Sequence, residues 1–494
     1  MMSQEEAFLK AREVFEQTMK YVEATKDERI DLVERGLFGR LLQMGLAFLE
    51  GYVAGHGDGD EGAELKLGKR LLKRLPETHG RRYLSIFGEL NWQRYVYGTR
   101  EGQKIEHVPL DAQLGLPGEE ISYVLEDWLE RLCVKDAFVE AGASLETLLG
   151  LKVGVNTAER HNHKMAEYAA SFHTSQVPAP QDEGELVVVA ADGKGICMRR
   201  DPDEEQSTAP VKQGLQKPPE AEPDCEKRKD RKRMAYVGVN YTIDRFVRTS
   251  QDVLDELRHH RRDRKRPRPK GKRVWAELNR RPEDDPQIPG TGREYLFALL
   301  AVECHDRDPE HRKPLICLLD GERSLWDLKQ EWLPRAIGVL DIFHVSERLW
   351  DVAHCLHARE SQEAEQFVTQ RLRMLLDGKV GYVIRDLRKL MNQGQLRGKN
   401  RKTVASALTY FENNRDHMKY DEYLAAGYPI GSGAVEGACR HLVKDRMEQA
   451  GMKWRLVGAD AMLHTRAIYL NGDWNRFVEH RIQKEQQQLY ALAA

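Results

Sequence analysis

Apolar residues between positions 4 and 54 recur at helical spacing: Phe8, Val14, Phe15, Met19 and Val22, then Leu32, Val33, Leu37, Leu41 and Leu42, with a break near Lys26–Asp27. A stripe that returns every three to four residues lies along one side of a helix, so the pattern predicts two amphipathic helices packed on each other. After the basic stretch LGKRLLKRLPETHGRR, the segment YLSIFGELNWQRYVYG is rich in aromatic and branched residues punctuated by glycine, which predicts a β-hairpin.

Residues 118 to 172 return to helical spacing. AFVEAGASLETLLG ends in Gly150, and VGVNTAERHNHKMAEYA opens a further helix with Asn156–Thr157 as its N-cap. Two readings stay open for this pair. A helix-turn-helix would present Thr157, Arg160, His161 and His163 to a major groove, whereas an ordinary αα-hairpin would serve only to build a helical domain.

At residue 185 the pattern turns to β. ELVVVAADGKGICMRR predicts a buried strand ending in Asp192 and resuming past two glycines, and MAYVGVNYTI predicts its antiparallel partner. Between them, residues 201–233 are Pro-rich and charged with almost no large apolar side chain, the composition of a disordered loop. Further on, REYLFALLAVE reads as a helix, PLICLLDG as a strand stopping at Asp320–Gly321, ERSLWDLKQEWLP as a helix and AIGVLDIFHV as a strand ending around Asp341. From Ser346 to about Tyr420 the spacing is helical, with a basic patch from Arg385 to Lys402, and Gly431–Ser432–Gly433 then opens a helix carrying Glu436.

The chain has 494 residues, more than one hydrophobic core accommodates. The boundaries expected are 1–75 (helical), 76–180 (hairpin plus helix-turn-helix-like), 181–345 (first part of an α/β core), 346–425 (all-α insertion) and 426–494 (core completion). Charged residues make up 32% and hydrophobic ones 40%, with no run of about 20 apolar residues. The acidic, amphipathic start has no signal-peptide character, so a cytoplasmic protein with no membrane partner is expected. Seven scattered cysteines, none in a C-x-x-C pair, speak against a zinc ribbon or a disulfide framework.

The balance of 77 basic and 79 acidic residues carries no message, but its distribution does. RHHRRDRKRPRPKGKR, residues 258–273, holds ten Lys/Arg against Asp263 alone, either a solvated loop or a contact for a phosphate backbone. Its members Arg261, Arg262, Arg264, Lys265, Arg266, Arg268 and Lys270 are the candidate DNA contacts, with Arg160 and His161 upstream. Trp326, Trp350 and Trp454 read as core rather than base-stacking groups.

Strands alternating with helices and delivering aspartates at a sheet edge are what a metal-dependent nuclease core requires. Two Mg²⁺ ions about 3.5 to 4 Å apart stabilise the attacking and leaving oxygens of a phosphodiester, and such hard cations prefer carboxylate oxygen. Asp192, Asp320 and Glu436 supply that ligand set. Asp341 also ends a buried strand, and spacing alone does not choose between it and Asp320.

The ordered blocks VVVAADGKG, LLDGERSLW, VLDIFHVSERLW and YPIGSGAVEGACRHLVKDRM resemble the ISKra-type DDE transposases of bacterial insertion sequences, and more distantly Mutator-like transposases, over residues 185 to 475. The resemblance implies an RNase H-like α/β core, a mixed sheet with flanking helices, interrupted by an all-α insertion and preceded by a mainly helical DNA-binding region. It makes Asp192, Asp320 and Glu436 the first, second and third acids, holding two Mg²⁺ for which Mn²⁺ substitutes. Asp341 and His344 match a D-x-x-H element that supports the site. Arg440 and Lys444, four and eight residues past Glu436, would share its helix face and meet either phosphate or surface acids. The partners implied are the terminal inverted repeats, target DNA and a second copy of the chain. The rival expectations are a transposase-derived repressor without catalysis and a structure-specific nuclease.

Overall fold

The computed structural model describes residues 3–99, 105–175, 183–199, 232–258, 265–280, 290–394 and 396–490. The chain divides into two compact units, Met1–His173 with Gly472–Ala494, and Thr174–Asn471.

The first unit opens with α1 (Gln4–Ala24) and α2 (Ile30–Ala54), the former started by a Ser3–Glu6 capping box. They run antiparallel: the Tyr21 hydroxyl donates to the Leu32 carbonyl at 3.2 Å, and Lys10 pairs with Glu50 at 2.7 Å. Five strands follow, β1 (Glu64–Leu67), β2 (Arg70–Arg74), β3 (His79–Ser85), β4 (Gly88–Arg94) and β5 (Tyr97–Gly98). β3 and β4 form the expected hairpin, starting earlier, at His79. β1, β2 and β5 make a separate antiparallel sheet; β2 lies inside the stretch read only as basic, where KRLLKR has too few branched residues to announce a strand, and β5 takes the last two residues of the segment read as the hairpin. Helices Tyr123–Cys133, Phe138–Leu149 and Val155–Ala166 then close on a small core of Leu125, Leu129, Cys133, Ala141, Leu145 and Ala158. Gly150 ends the second of them in the left-handed conformation (φ 70°), where a side chain would be strained. The N-cap of the third is Gly154 and not Asn156–Thr157.

The second unit is mixed α/β. Its sheet contains β6 (Leu186–Cys197), β7 (Lys232–Ile243), β8 (Lys270–Leu278), β9 (Leu315–Leu319) and β10 (Ile337–Leu340), in the order β10-β9-β6-β7-β8. β6, β7 and β8 are antiparallel neighbours, whereas β9 and β10 run parallel to β6. Side chains alternate across a strand: Val187, Val189 and Ala191, with Tyr236 and Trp275, face helices Gly292–Arg307 and Arg323–Trp332 through Leu296, Phe297, Leu300, Leu325 and Leu328. Asp192, next in line after Ala191, points to the opposite face. β6 runs through Asp192 unbroken, so the expected strand end there is corrected: that acid lies within a twelve-residue strand.

Strand β8 was hidden in the basic run, whose last residues from Lys270 onward are its first rungs. Most of 201–233 lies outside the described residues; Lys232 and Arg233 begin β7. From Ile342 to Ala425 every element is helical, with Ile342–Leu356, Gln362–Leu376, Val380–Asn392 and Gly398–Asn413 as its main helices. Among the described residues no helix is long and apolar enough to cross a membrane.

Candidate active site

Strand register brings the two aspartates together. The last rungs of the parallel β6–β9 ladder pair Val189 with Cys317 and Ala190 with Leu318. Asp192 lies two residues further along β6 and Asp320 two residues past Leu318, and the charge of Asp320 acts on Asp192. Asp320 is the first residue past β9; its Oδ1 accepts from the Glu322 amide at 2.9 Å. Gly321 turns the chain with φ +100°, and a Cβ there would meet the Tyr410 ring at 2.6 Å. Tyr410, from the helical insertion, donates its hydroxyl to the Asp320 carbonyl at 2.8 Å, so the insertion braces this turn.

Asp192 Oδ1 accepts from the Gly193 amide at 2.7 Å, and Oδ2 from the Cys439 thiol at 3.6 Å. Burial raises the Asp192 pKa, the charge of Asp320 raises it further, and the Gly193 amide, His344 and Cys439 oppose this. The pKa of Cys439 is itself pushed far up, first by burial and then by Asp192, so its sulfur stays a neutral donor.

Glu436 is exposed on helix Gly433–Cys439, one turn before Cys439. The Gly-Ser-Gly turn opening this helix is held down at two points: the Ile342 amide donates to the Ile430 carbonyl at 2.9 Å, and the Ser432 hydroxyl bonds Asp341 Oδ2. Gly431 is needed because a Cβ would meet the Phe343 ring at 2.7 Å. The oxygens of Asp192, Asp320 and Glu436 do not gather within 4.8 Å of one another.

Asp341 differs in kind from Asp320. It is fully buried; its Oδ1 caps helix Ile342–Leu356 through the Phe343 amide at 2.9 Å, while Oδ2 is engaged by Ser432. Burial raises its pKa against these hydrogen bonds. Both oxygens therefore already hold structure together. His344 sits beside it, half-exposed, with Nε2 4.0 Å from Asp341 and Nδ1 3.2 Å from Glu347.

The expected DNA contacts divide. His161 is corrected: it is 1% exposed, with Nδ1 2.6 Å from Glu126, so it faces the interior and reaches no groove. Arg160, five residues past the helix start at Val155, is exposed and pairs with Glu119 at 3.1 Å. Arg261, Arg262 and Arg264 lie outside the described residues. Lys265, Arg266 and Arg268 are exposed just before β8, and Lys270 on β8 lies 3.3 Å from Asp244. Arg440 and Lys444 are exposed, but the α-helical register stops at Cys439 and a π-helical turn, Arg440–Lys444, follows. The straight i, i+4, i+8 stack is therefore interrupted, and Arg440 leans toward Asp445 at 3.8 Å.

Sequence reasoning passed over four residues that build this site. Cys439 and Ser432 stand within a motif quoted above yet carry no charge to draw notice. Tyr410 comes from a distant helix. Lys272, hidden in the basic run, donates to the Ala434 carbonyl at 3.1 Å and ties β8 to the Glu436 helix; burial lowers its pKa.

A second charged cluster lies between β8 and helix Leu456–Leu470, where Glu277, Asp460 and His464 bring ligand-type atoms within 4.8 Å. Arg280 pairs with Asp460 at 2.6 Å and His464 Nε2 lies 3.2 Å from Glu277, so two cations already balance the two carboxylates. Burial lowers the His464 pKa, but Glu277 and Asp460 together outweigh it and raise it to about 9. A folded pKa above the unfolded value of about 6.5 stabilises the fold fully below pH 6.5, and the contribution is lost as pH rises through 9. Wild type is thus expected to melt above His464→Gln at pH 6 and to converge with it near pH 10. A gap independent of pH in melting curves would show that the charge plays no part.

No family model and no curated protein matches this chain.

Proposed function

We propose that the protein is a DDE transposase that cuts and rejoins DNA through two divalent metal ions, built on an RNase H-like core. The observation that carries this reading is that Asp192 on β6 and Asp320, one residue past the end of the adjacent parallel strand β9, lie close enough for the charge of Asp320 to raise the Asp192 pKa, with Glu436 on the helix that follows the Gly-Ser-Gly turn. The strand order supports the core assignment. Counted from β6 it is 3-2-1-4-5, with the second strand antiparallel and the last two parallel to the first.

The donor set fits hard divalent cations, since it consists of carboxylate oxygens on rigid elements. Burial first, and then the charge of Asp320, raise the Asp192 pKa, and a bound cation would oppose that rise. Asp192 and Asp320 would hold the ions from the sheet and Glu436 from the helix. When bound, such ions lower the pKa of water and stabilise charge on the phosphate. Cys439 and the Gly193 amide fix the Asp192 carboxylate, and Tyr410 and the Glu322 amide fix Asp320. Lys265, Arg266 and Arg268, with Arg440 and Lys444, are exposed cations suited to phosphate contact.

The test is cleavage and joining of a labelled duplex carrying the element's end, with Mg²⁺ and with chelator. Metal-dependent joined products support a transposase. Cleavage without joining favours a nuclease, and binding without cleavage favours a repressor. Asp341 and Asp320 separate in the same assay. Asn at position 341 retains an oxygen for the helix cap and offers an amide to Ser432, so Asp341→Asn is expected to keep activity within about tenfold, a difference of ~1.4 kcal/mol. Asp320→Asn is expected to be inactive. The reverse ranking would make Asp341 the second ligand.

A further inference from the structure

A cavity of about 350 Å³ opens at the amino-terminal edge of the parallel strands, away from the carboxylates. Its floor is made by the beginnings of those strands: Val187 of β6, Leu315 of β9 and Ile337 of β10. Val187 pairs with Leu315, and Asp320 stands five residues past Leu315, about 16 Å away at the rise of a strand. Ala301, on helix Gly292–Arg307, and the buried Leu333 complete the floor, while Trp332, 39% exposed, forms one wall.

The loop from Asp308 to Pro314 builds the opposite wall, and hydrogen bonds fix its shape. Asp308 ends helix Gly292–Arg307, and its two carboxylate oxygens accept from the Arg312 amide at 3.0 Å and the Lys313 amide at 2.8 Å. The His311 amide donates to the Asp308 carbonyl at 3.0 Å; His311 takes φ 54°, and its ring lies 5.8 Å from that of His305. The Val187 amide donates to the Pro314 carbonyl at 3.0 Å and returns the loop to the sheet. A cavity enclosed by a closed loop, a helix and three strand ends is formed before any ligand arrives, so a ligand need not spend binding energy on ordering it.

The rim is rich in donors. Lys313 and Arg335 pair with no carboxylate among the described residues, whereas Arg307 and Arg312 nearby are held by Glu303 and Glu310. His305 and His311 add ring nitrogens, and the acid on the rim, Asp308, has both oxygens occupied by amides. Helices Gly292–Arg307 and Arg323–Trp332 end here, and their carboxyl ends carry roughly half a negative charge each. The rim is therefore near neutral in sum, and what distinguishes it is a surplus of N–H donors over an apolar floor. We infer that this cavity binds a small amphipathic acid, one or two apolar rings bearing a carboxylate. The rings lie on the floor against Trp332, and Lys313 and Arg335 hold the carboxylate through charge-assisted hydrogen bonds. The site is separate from the carboxylates of the transposase reading and does not depend on it.

The probe is 2-naphthoate, with 2-naphthamide as its neutral counterpart, titrated calorimetrically into the full chain without DNA or metal. One naphthoate per chain should bind with a Kd on the order of 100 µM, and naphthamide should bind about tenfold or more weakly. Lys313→Glu combined with Arg335→Glu should weaken naphthoate by about the same factor and leave the amide unmoved. Ala301→Phe fills the floor and should weaken both. Lys313 is part-exposed and Arg335 exposed, so the double variant should melt with the wild type while losing the acid. Absence of binding at about 2 mM ligand, equal affinity for acid and amide, or a Kd indifferent to the charge reversal would overturn the inference.

Discussion

Asp192→Asn is expected to abolish metal-dependent cleavage of end DNA, with a loss of about three orders of magnitude or more. A metal ion contributes several kcal/mol of transition-state stabilisation, and each 1.36 kcal/mol is tenfold in rate. The same substitution should also raise the melting temperature when divalent metal is chelated. In the wild type a carboxylate sits partly buried beside Asp320, and burial followed by that neighbouring charge raises its pKa. A folded pKa above the unfolded one makes a favourable contribution below about pH 3.8 that is lost as pH climbs through the folded value. At neutral pH the ionised group therefore costs stability, and Asn removes the cost while keeping an acceptor for the Gly193 amide. Added Mg²⁺ should stabilise wild type and leave Asp192→Asn unmoved. A variant that melts lower in chelator, or that gains equally from Mg²⁺, would contradict the assignment of Asp192 as a metal ligand.

Arg481→Ala is expected to destabilise the first unit by about 3–5 kcal/mol, the effect of stranding buried charge. Arg481 and Glu126 are each 2% exposed and form two hydrogen bonds, one of them at 3.0 Å. The same guanidinium reaches Glu485 at 3.2 Å, which Lys164 also holds at 2.6 Å, and His161 closes the network at Glu126. Removing the arginine leaves two buried carboxylates with too little positive charge. Lys10→Ala breaks a partly exposed pair with Glu50 and should shift stability by no more than about 1 kcal/mol. Urea denaturation read by circular dichroism measures both. Equal shifts would show that burial does not set the value of these pairs. His161→Ala should likewise act on stability first, since its ring faces Glu126 and not solvent.

The positions of the two main carboxylates were legible in the sequence for a specific reason. VVVAAD and LICLLD are short continuous apolar runs that suit a buried strand, so an acid attached to either is expected at a sheet. Chain order and the helical stretch after Asp341 were legible on the same ground of periodicity. The β1–β2 hairpin and strand β8 were not, because Lys and Arg fill their exposed positions and mask the alternation. His161 was misread because helical spacing gives a residue's angle around the axis without saying which side is covered; Glu126 and Arg481, far away in sequence, determine that.

The sequence by itself determined the type of each main element and the supply of acids and cations, since these follow from local periodicity and side-chain chemistry. Only the tertiary structure decided which acids are neighbours. Register between β6 and β9 sets Asp192 beside Asp320, and two saturated hydrogen-bond acceptors turn Asp341 into a brace for the helix start and the Gly-Ser-Gly turn. Pairing of strands and satisfaction of buried polar atoms are conditions met by residues far apart in the chain, 91 positions for Asp341 and Ser432, and no local pattern encodes them.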